Sequence, residues 1–207
     1  MSRGLGDVYK RQIYVHQCTG DVIRRISADA QGILAVGNAQ AMQSGVDDLA
    51  LDTADFAPRI AAFWQVRDPG NAGTVIRAAD AASCDAVIFV DDCVDVLNPK
   101  VIRSTAGSLF HLPVLTMRTD EFFDWTSDHH VDVWAADVYG TEKRKPESLP
   151  AVLADKAAVS MSQAVLFGNE ARGLEPEILE RCGRIVSIPL YGKAESLNLG
   201  TLSLIHI

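Results

Sequence analysis

Three short stretches of the chain combine glycine, amide, carboxylate and cation at spacings that could do chemistry. The first is Asp68-Pro69-Gly70-Asn71-Ala72-Gly73-Thr74-Val75-Ile76-Arg77. Asn71 suits a helix N-cap, its side chain accepting from the backbone N–H of Gly73 or Thr74. Arg77 follows six positions on, nearly two turns later and close to the same face. Taken alone, Arg77 is an ordinary solvated helix cation. The second stretch, Leu166-Phe167-Gly168-Asn169-Glu170-Ala171-Arg172-Gly173-Leu174, sets polar residues between two glycines. Gly168 and Gly173 permit tight turns and close approach to a ligand, although an ordinary strand-to-helix connection has the same look. The third is Ile188-Pro189-Leu190-Tyr191-Gly192-Lys193-Ala194-Glu195-Ser196-Leu197-Asn198. Its Ser-Leu-Asn also fits simple capping of a helix.

The surrounding pattern supplies the frame. Apolar strands are expected at Ala61–Val66, Ala86–Val90, Leu112–Met117, Val131–Ala136, Ala164–Phe167 and Ile185–Ile188. Helix-like stretches lie between them at Ala72–Ala82, Lys100–Ser104, Glu121–Trp125 and Glu175–Cys182. Strands alternating with helices indicate an α/β fold with a mostly parallel sheet and helices on both faces. Such sheets bind ligands at the carboxyl ends of their strands, so the informative loops follow Val66, Phe167 and Ile188. Upstream, Asp21–Ile26 reads as a short helix and Gly32–Val36 as a strand. Residues 38–58 turn polar and acidic up to Pro58, the expected edge of a small, partial N-terminal unit.

In order, Asn-x-Gly-x-x-x-Arg, Phe-Gly-Asn-Glu-x-Arg-Gly-Leu and Ile-Pro-x-x-Gly-x-x-Glu-Ser-Leu-Asn resemble the three signature motifs of the SpoU-type (TrmH-like) RNA ribose methyltransferases of the SPOUT superfamily. The resemblance runs from about Ile60 to Asn198, and Asp29–Val36 resembles the end of the small RNA-binding domain that often precedes the catalytic one. It implies a C-terminal trefoil knot, S-adenosylmethionine as cofactor, and methylation of a ribose 2′-hydroxyl in structured RNA, ribosomal ahead of transfer RNA. It also implies a homodimer in the cytoplasm. Gly168, Asn169, Ile188, Leu190 and Leu197 would bind the cofactor. Asn71, Glu170, Ser196 and Asn198 would hold the catalytic constellation, with Arg77 as the catalytic residue. The sulfonium methyl is already electrophilic, so no metal is implied. A guanidinium is effectively always protonated, so Arg77 acts either as the base of family proposals or as an anchor for the adjacent phosphate.

The expected domains are a non-native leader at 1–12, the partial RNA-binding unit at 13–58, the methyltransferase domain at 59–201 and a non-native tail at 202–207. Val8-Tyr9-Lys10-Arg11-Gln12 and the last six residues resemble translated sequencing-adapter scars. After Asn198 the family resemblance calls for a continuous apolar helix. Gly200 weakens a helix by roughly 1 kcal/mol relative to alanine, and Leu202, Leu204, Ile205 and Ile207 alternate more as in a strand.

Composition narrows the rest. Of the 207 residues 48% are hydrophobic and 22% charged, which is globular rather than disordered. No apolar run approaches a membrane span. Four cysteines without a Cys-x-x-Cys pair read as reduced thiols. A net charge of −8 disfavours non-specific coating of RNA but leaves a focused basic site open. Asp128-His129-His130 with Asp132 reads as a solvated turn rather than a metal site, and Glu142-Lys143-Arg144-Lys145 as an exposed loop, with contact to RNA as the alternative. Two rival functions stand beside the resemblance. One is a catalytically inactive RNA-binding protein retaining the fold. The other is a dinucleotide enzyme, which needs Gly-x-Gly-x-x-Gly after its first strand, a pattern that Gly70–Ile76 fails.

Overall fold

In the computed structural model the described residues are 15–28, 30–46, 49, 57–193 and 197–206. Ser196 and the leader at 1–12 lie outside them. The described residues up to Asn38 form one compact unit and those from Ala39 another.

The second unit is built on runs of Val, Ile, Phe and Ala that are buried on both faces, as strands of a helix-covered parallel sheet must be. The strands are β1 (Arg59–Trp64), β2 (Ala86–Val90), β3 (Val114–Met117), β4 (Asp132–Ala136), β5 (Glu147–Ser148), β6 (Gln163–Phe167) and β7 (Arg184–Ser187). They form one seven-stranded sheet in the order β3-β2-β1-β6-β4-β7-β5, and every pairing is parallel. The helices are α1 (Gly20–Ile26), α2 (Ala39–Met42), α3 (Pro69–Ala81), α4 (Pro99–Ser104), α5 (Thr119–Asp128), α6 (Leu149–Ala154), α7 (Lys156–Val159), α8 (Pro176–Arg181) and α9 (Leu199–His206).

Side chains alternate across each strand, so the sheet packs on both faces. Ile60, Ala62 and Trp64 of β1 face Phe122 and Trp125 of α5 and Ile178 and Leu179 of α8. Ala61 and Phe63 face the other way, onto Val75, Ile76 and Ala79 of α3, Val101 of α4 and Leu199 of α9. Helices therefore cover both faces, as the sequence pattern requires.

Two expectations are corrected. Gly32–Val36 carries no strand, and Ile33 and Val36 are 88% and 86% exposed. An apolar run becomes a strand only where an edge is offered to it. The strand-like alternation from Leu202 gives way to helix α9. There Leu199, Leu202 and Ser203 follow the i, i+3, i+4 spacing of one helix face; Leu199 and Ser203 are buried and Leu202 packs on the α3 side of the core. Gly200 belongs to that contact. A Cβ there would stand 2.5 Å from Cγ2 of Thr74 on α3, so the residue that weakens the helix locally is the one that lets it dock.

Candidate active site

Four neighbouring strands end at one level. Phe63 of β1 pairs with Phe167 of β6, Phe167 with Ala136 of β4, and Ala136 with Val186 of β7. The Phe63 and Phe167 rings stack at 5.1 Å beneath. Above this level the segments that follow the four strands surround a cleft of about 620 Å3, a volume suited to a small ligand.

The segment after β1 brings Asn71. Asn71 is not the N-cap that its residue type suggests. Pro69, whose fixed φ suits a first helical position, starts α3 earlier, and the carboxylate of Asp68 accepts from the Asn71 N–H at 2.8 Å. The Asn71 carboxamide is thereby released from capping, and its Nδ2 donates to Oε1 of Glu170 at 2.8 Å. That bond joins the first motif to the second at the cleft wall. Arg77, two turns along α3, is exposed and does not line the cleft.

The loop after β6 is folded back on itself. Asn169 and Gly173 exchange backbone bonds of 3.2 and 2.7 Å. A Cβ on Gly168 would lie 2.4 Å from the carbonyl carbon of Gly173, so only glycine permits this crossing. Asn169 Nδ2 donates to the carbonyl of Gln65 at 2.8 Å, tying the loop to the end of β1, and its Oδ1 accepts from Ala171 N. Asn169 thus holds the loop, while Gly168, Glu170 and Arg172 line the cleft with it.

From the β7 side Ile188 and Leu190 enter, followed by Leu197 and Asn198. Asn198 caps α9, its Oδ1 accepting from Gly200 N at 2.9 Å, and still faces the cleft. Leu199 and Leu202 complete that wall. Leu202 falls within the stretch expected to be a foreign tail.

Sequence reasoning missed the loop after β4. Asp137, Val138, Tyr139 and Gly140 line the cleft without belonging to any motif. The Asp137 carboxylate accepts from the N–H groups of Tyr139 and Gly140 at 2.8 and 2.6 Å. Farther along, Arg144 is half-buried rather than exposed. Its guanidinium donates to the carbonyls of Leu179, Cys182 and Gly183 at 3.0, 2.8 and 2.8 Å, closing the C-terminal end of α8. Lys143 and Lys145 remain exposed. The strand order was the available signal: the β4 loop lies beside those of β6 and β7.

The remaining polar clusters do other work. His129 stacks on Trp125, and Asp132 accepts from the Trp134 indole at 2.8 Å. Among the described residues no group of three or more His, Cys, Asp or Glu could hold a metal ion. Burial pushes the thiols of Cys84 and Cys182 up to about 12 and that of Cys93 to about 11. A shallower cavity of about 450 Å3 opens over β2 and β3 beside Asp91, Arg118 and Glu121, with no motif residue in its lining. Burial alone would raise the Asp91 carboxyl, but hydrogen bonds from Thr119 and Trp64 hold it below the usual range.

With the cleft assembled from all three motifs, the chain can be set against known proteins. Residues 58–206 match the SpoU rRNA Methylase family, a span that contains every motif and α9. The chain belongs to this family. It is 37% identical over 142 residues to the 23S rRNA (guanosine(2553)-2′-O)-methyltransferase RlmP of Bacillus subtilis, covering 69% of this chain and 53% of that protein. It is 32% identical over 173 residues to the 23S rRNA (guanosine-2′-O-)-methyltransferase RlmB of Bordetella pertussis, covering 84% and 66%. The crystal structure of an AdoMet-bound rRNA methyltransferase from Sinorhizobium meliloti superposes with a TM-score of 0.65 at 32% identity, covering 73% of this chain and 55% of that one. The chain therefore spans between about half and two thirds of these relatives. No helix among the described residues is long and apolar enough to cross a membrane.

Proposed function

We propose that this chain carries the catalytic part of an enzyme that methylates a ribose 2′-hydroxyl of ribosomal RNA, with S-adenosylmethionine as methyl donor. The observation that carries the proposal is the Asn71–Glu170 hydrogen bond, which locks the first family motif to the second at a cleft that the third also lines. The specificities of RlmP and RlmB support ribosomal RNA as the substrate.

The cleft fits the cofactor. Val186, Ile188, Leu197 and Leu199 offer apolar walls to an adenosyl group, and the loop folded at Gly168 brings polar backbone groups to the same wall. When bound, the cofactor supplies an electrophilic methyl, so neither metal nor redox chemistry is required. What falls to the protein is holding the hydroxyl in line and assisting removal of its proton. Asn71, Glu170 and Asn198 fix the site, with Ser196 as a fourth member from the same motif. Arg77, exposed and always charged, suits the phosphate beside the target ribose better than a basic role. A trefoil knot through the C-terminal segment, a homodimer, an RNA-binding N-terminal unit and a cytoplasmic setting complete the proposal. The four free thiols suit such a reducing compartment.

The test is transfer of labelled methyl to ribosomal RNA by the unaltered chain and by Arg77→Ala. The expected outcome is transfer by the first, none by the second, and cofactor affinity within a few-fold of each other by calorimetry. Undiminished transfer by Arg77→Ala would remove Arg77 from the site. A loss of cofactor affinity of about tenfold would place it in the cofactor pocket instead.

A further inference from the structure

The mouth of the cleft displays aromatic and cationic groups beyond the apolar walls that would take an adenosyl group. Tyr139, on the loop after β4, is 79% exposed, and Tyr191, on the loop after β7, is 93% exposed. Exposed aromatic rings rimmed by polar groups beside a cleft mark an interaction surface. Two exposed cations flank them, Arg172 on the loop after β6 and Lys193 beyond Tyr191. Because β6, β4 and β7 are consecutive in the sheet, these loops are neighbours at its carboxyl edge.

Two of the four groups sit on tethered segments. The Tyr139 backbone is fixed by the Asp137 carboxylate, and its loop is fastened to α8 through Arg144. Arg172 Nη2 donates to Oε1 of Gln65 at 3.1 Å, and the Gln65 carbonyl is in turn held by Asn169. The guanidinium keeps further donors for a ligand. Lys193 makes no hydrogen bond or ion pair among the described residues. Two rings and two cations at one rim, on a chain whose net charge is −8, form a local surface complementary to a polyanion that carries flat bases.

We infer that this rim is a binding site for single-stranded RNA, in which Tyr139 and Tyr191 stack on bases and Arg172 and Lys193 contact phosphates. The inference rests on the proposed methylation of RNA and says how the target is presented. Single-stranded loops and bulges offer a target ribose together with unstacked bases, and unstacked bases are what aromatic rings bind.

The probe is a fluorescein-labelled oligouridylate of about 12 nucleotides, read by anisotropy, beside a duplex RNA of equal length. The double variant Tyr139→Ala, Tyr191→Ala is expected to weaken single-strand binding at least about tenfold, while Tyr139→Phe, Tyr191→Phe keeps it. Arg172→Gln with Lys193→Gln should reduce the salt dependence by roughly 1.4 in slope, two phosphates' worth. Both rings are exposed, so folding is not at stake, and thermal melting confirms that the variants are folded. An alanine pair that binds the single strand as the unaltered chain does overturns the inference, as does an unaltered chain that prefers the duplex or binds neither. Methyl transfer by the unaltered chain decides the underlying reading separately. A chain that binds the probe through its tyrosines yet methylates no RNA would keep the rim and refute the reaction.

Discussion

Arg144 shows how much one side chain can decide away from any motif. It stands in a run of charges, Glu142-Lys143-Arg144-Lys145, that reads as solvated loop. Only the structure reveals three carbonyls at the end of α8 awaiting a planar, multiply donating cation. Removing it leaves those carbonyls short of donors and frees the loop that walls the cleft. Arg144→Met should cost about 2 kcal/mol of stability and weaken S-adenosylmethionine binding, with Arg144→Lys intermediate in both. Thermal melting and calorimetry check this, and unchanged affinity in Arg144→Met would show that the loop stands without its clip. Asn71 teaches the converse. Its presence in a site was legible from the motif, but its task was not, because the choice between capping and crossing to Glu170 turned on Asp68 and Pro69 just upstream.

Elements were legible in proportion to how locally they are determined. The six expected strands form within about two residues of their anticipated limits, because uninterrupted apolar runs bounded by turn residues need no distant information. β5 is the opposite case. Two exposed residues, Glu147 and Ser148, become a strand only because β7 offers an edge. Helix α9 was misread for a related reason. Its sequence alternates, yet α3 presents a surface that accepts a helix face, and tertiary contact overrides local pattern. Gly200 gives this a test. Elsewhere in a helix, glycine to alanine is stabilising, but here the added methyl meets Thr74 at 2.5 Å. Gly200→Ala is expected to destabilise the protein by about 1–3 kcal/mol and to loosen the cleft wall formed by Leu199 and Leu202. A melting temperature equal to or above that of the unaltered chain would show that α9 does not press on α3.

At the scale of the whole molecule the cleft belongs to one of the two units. Every described residue lining it falls between Asn71 and Leu202, within the second unit. Removing residues 1–38 should therefore leave S-adenosylmethionine affinity unchanged within about twofold, measured by calorimetry, while RNA affinity falls. Loss of cofactor binding in a chain that remains folded would assign part of the pocket to the N-terminal unit. Within the second unit, the central position of β1 has a further cost. β1 lies between β2 and β6, and Asn71 meets Glu170 across a separation of 99 residues, Gln65 meets Asn169 across 104. On a ribosome, β1 and β2 emerge long before β6 exists. At ordinary synthesis rates the interval is about 5–20 s, during which one edge of β1, apolar on both faces, has no neighbour. The growing chain must be shielded for that time, and the place where methyl donor would bind is among the last features the protein acquires.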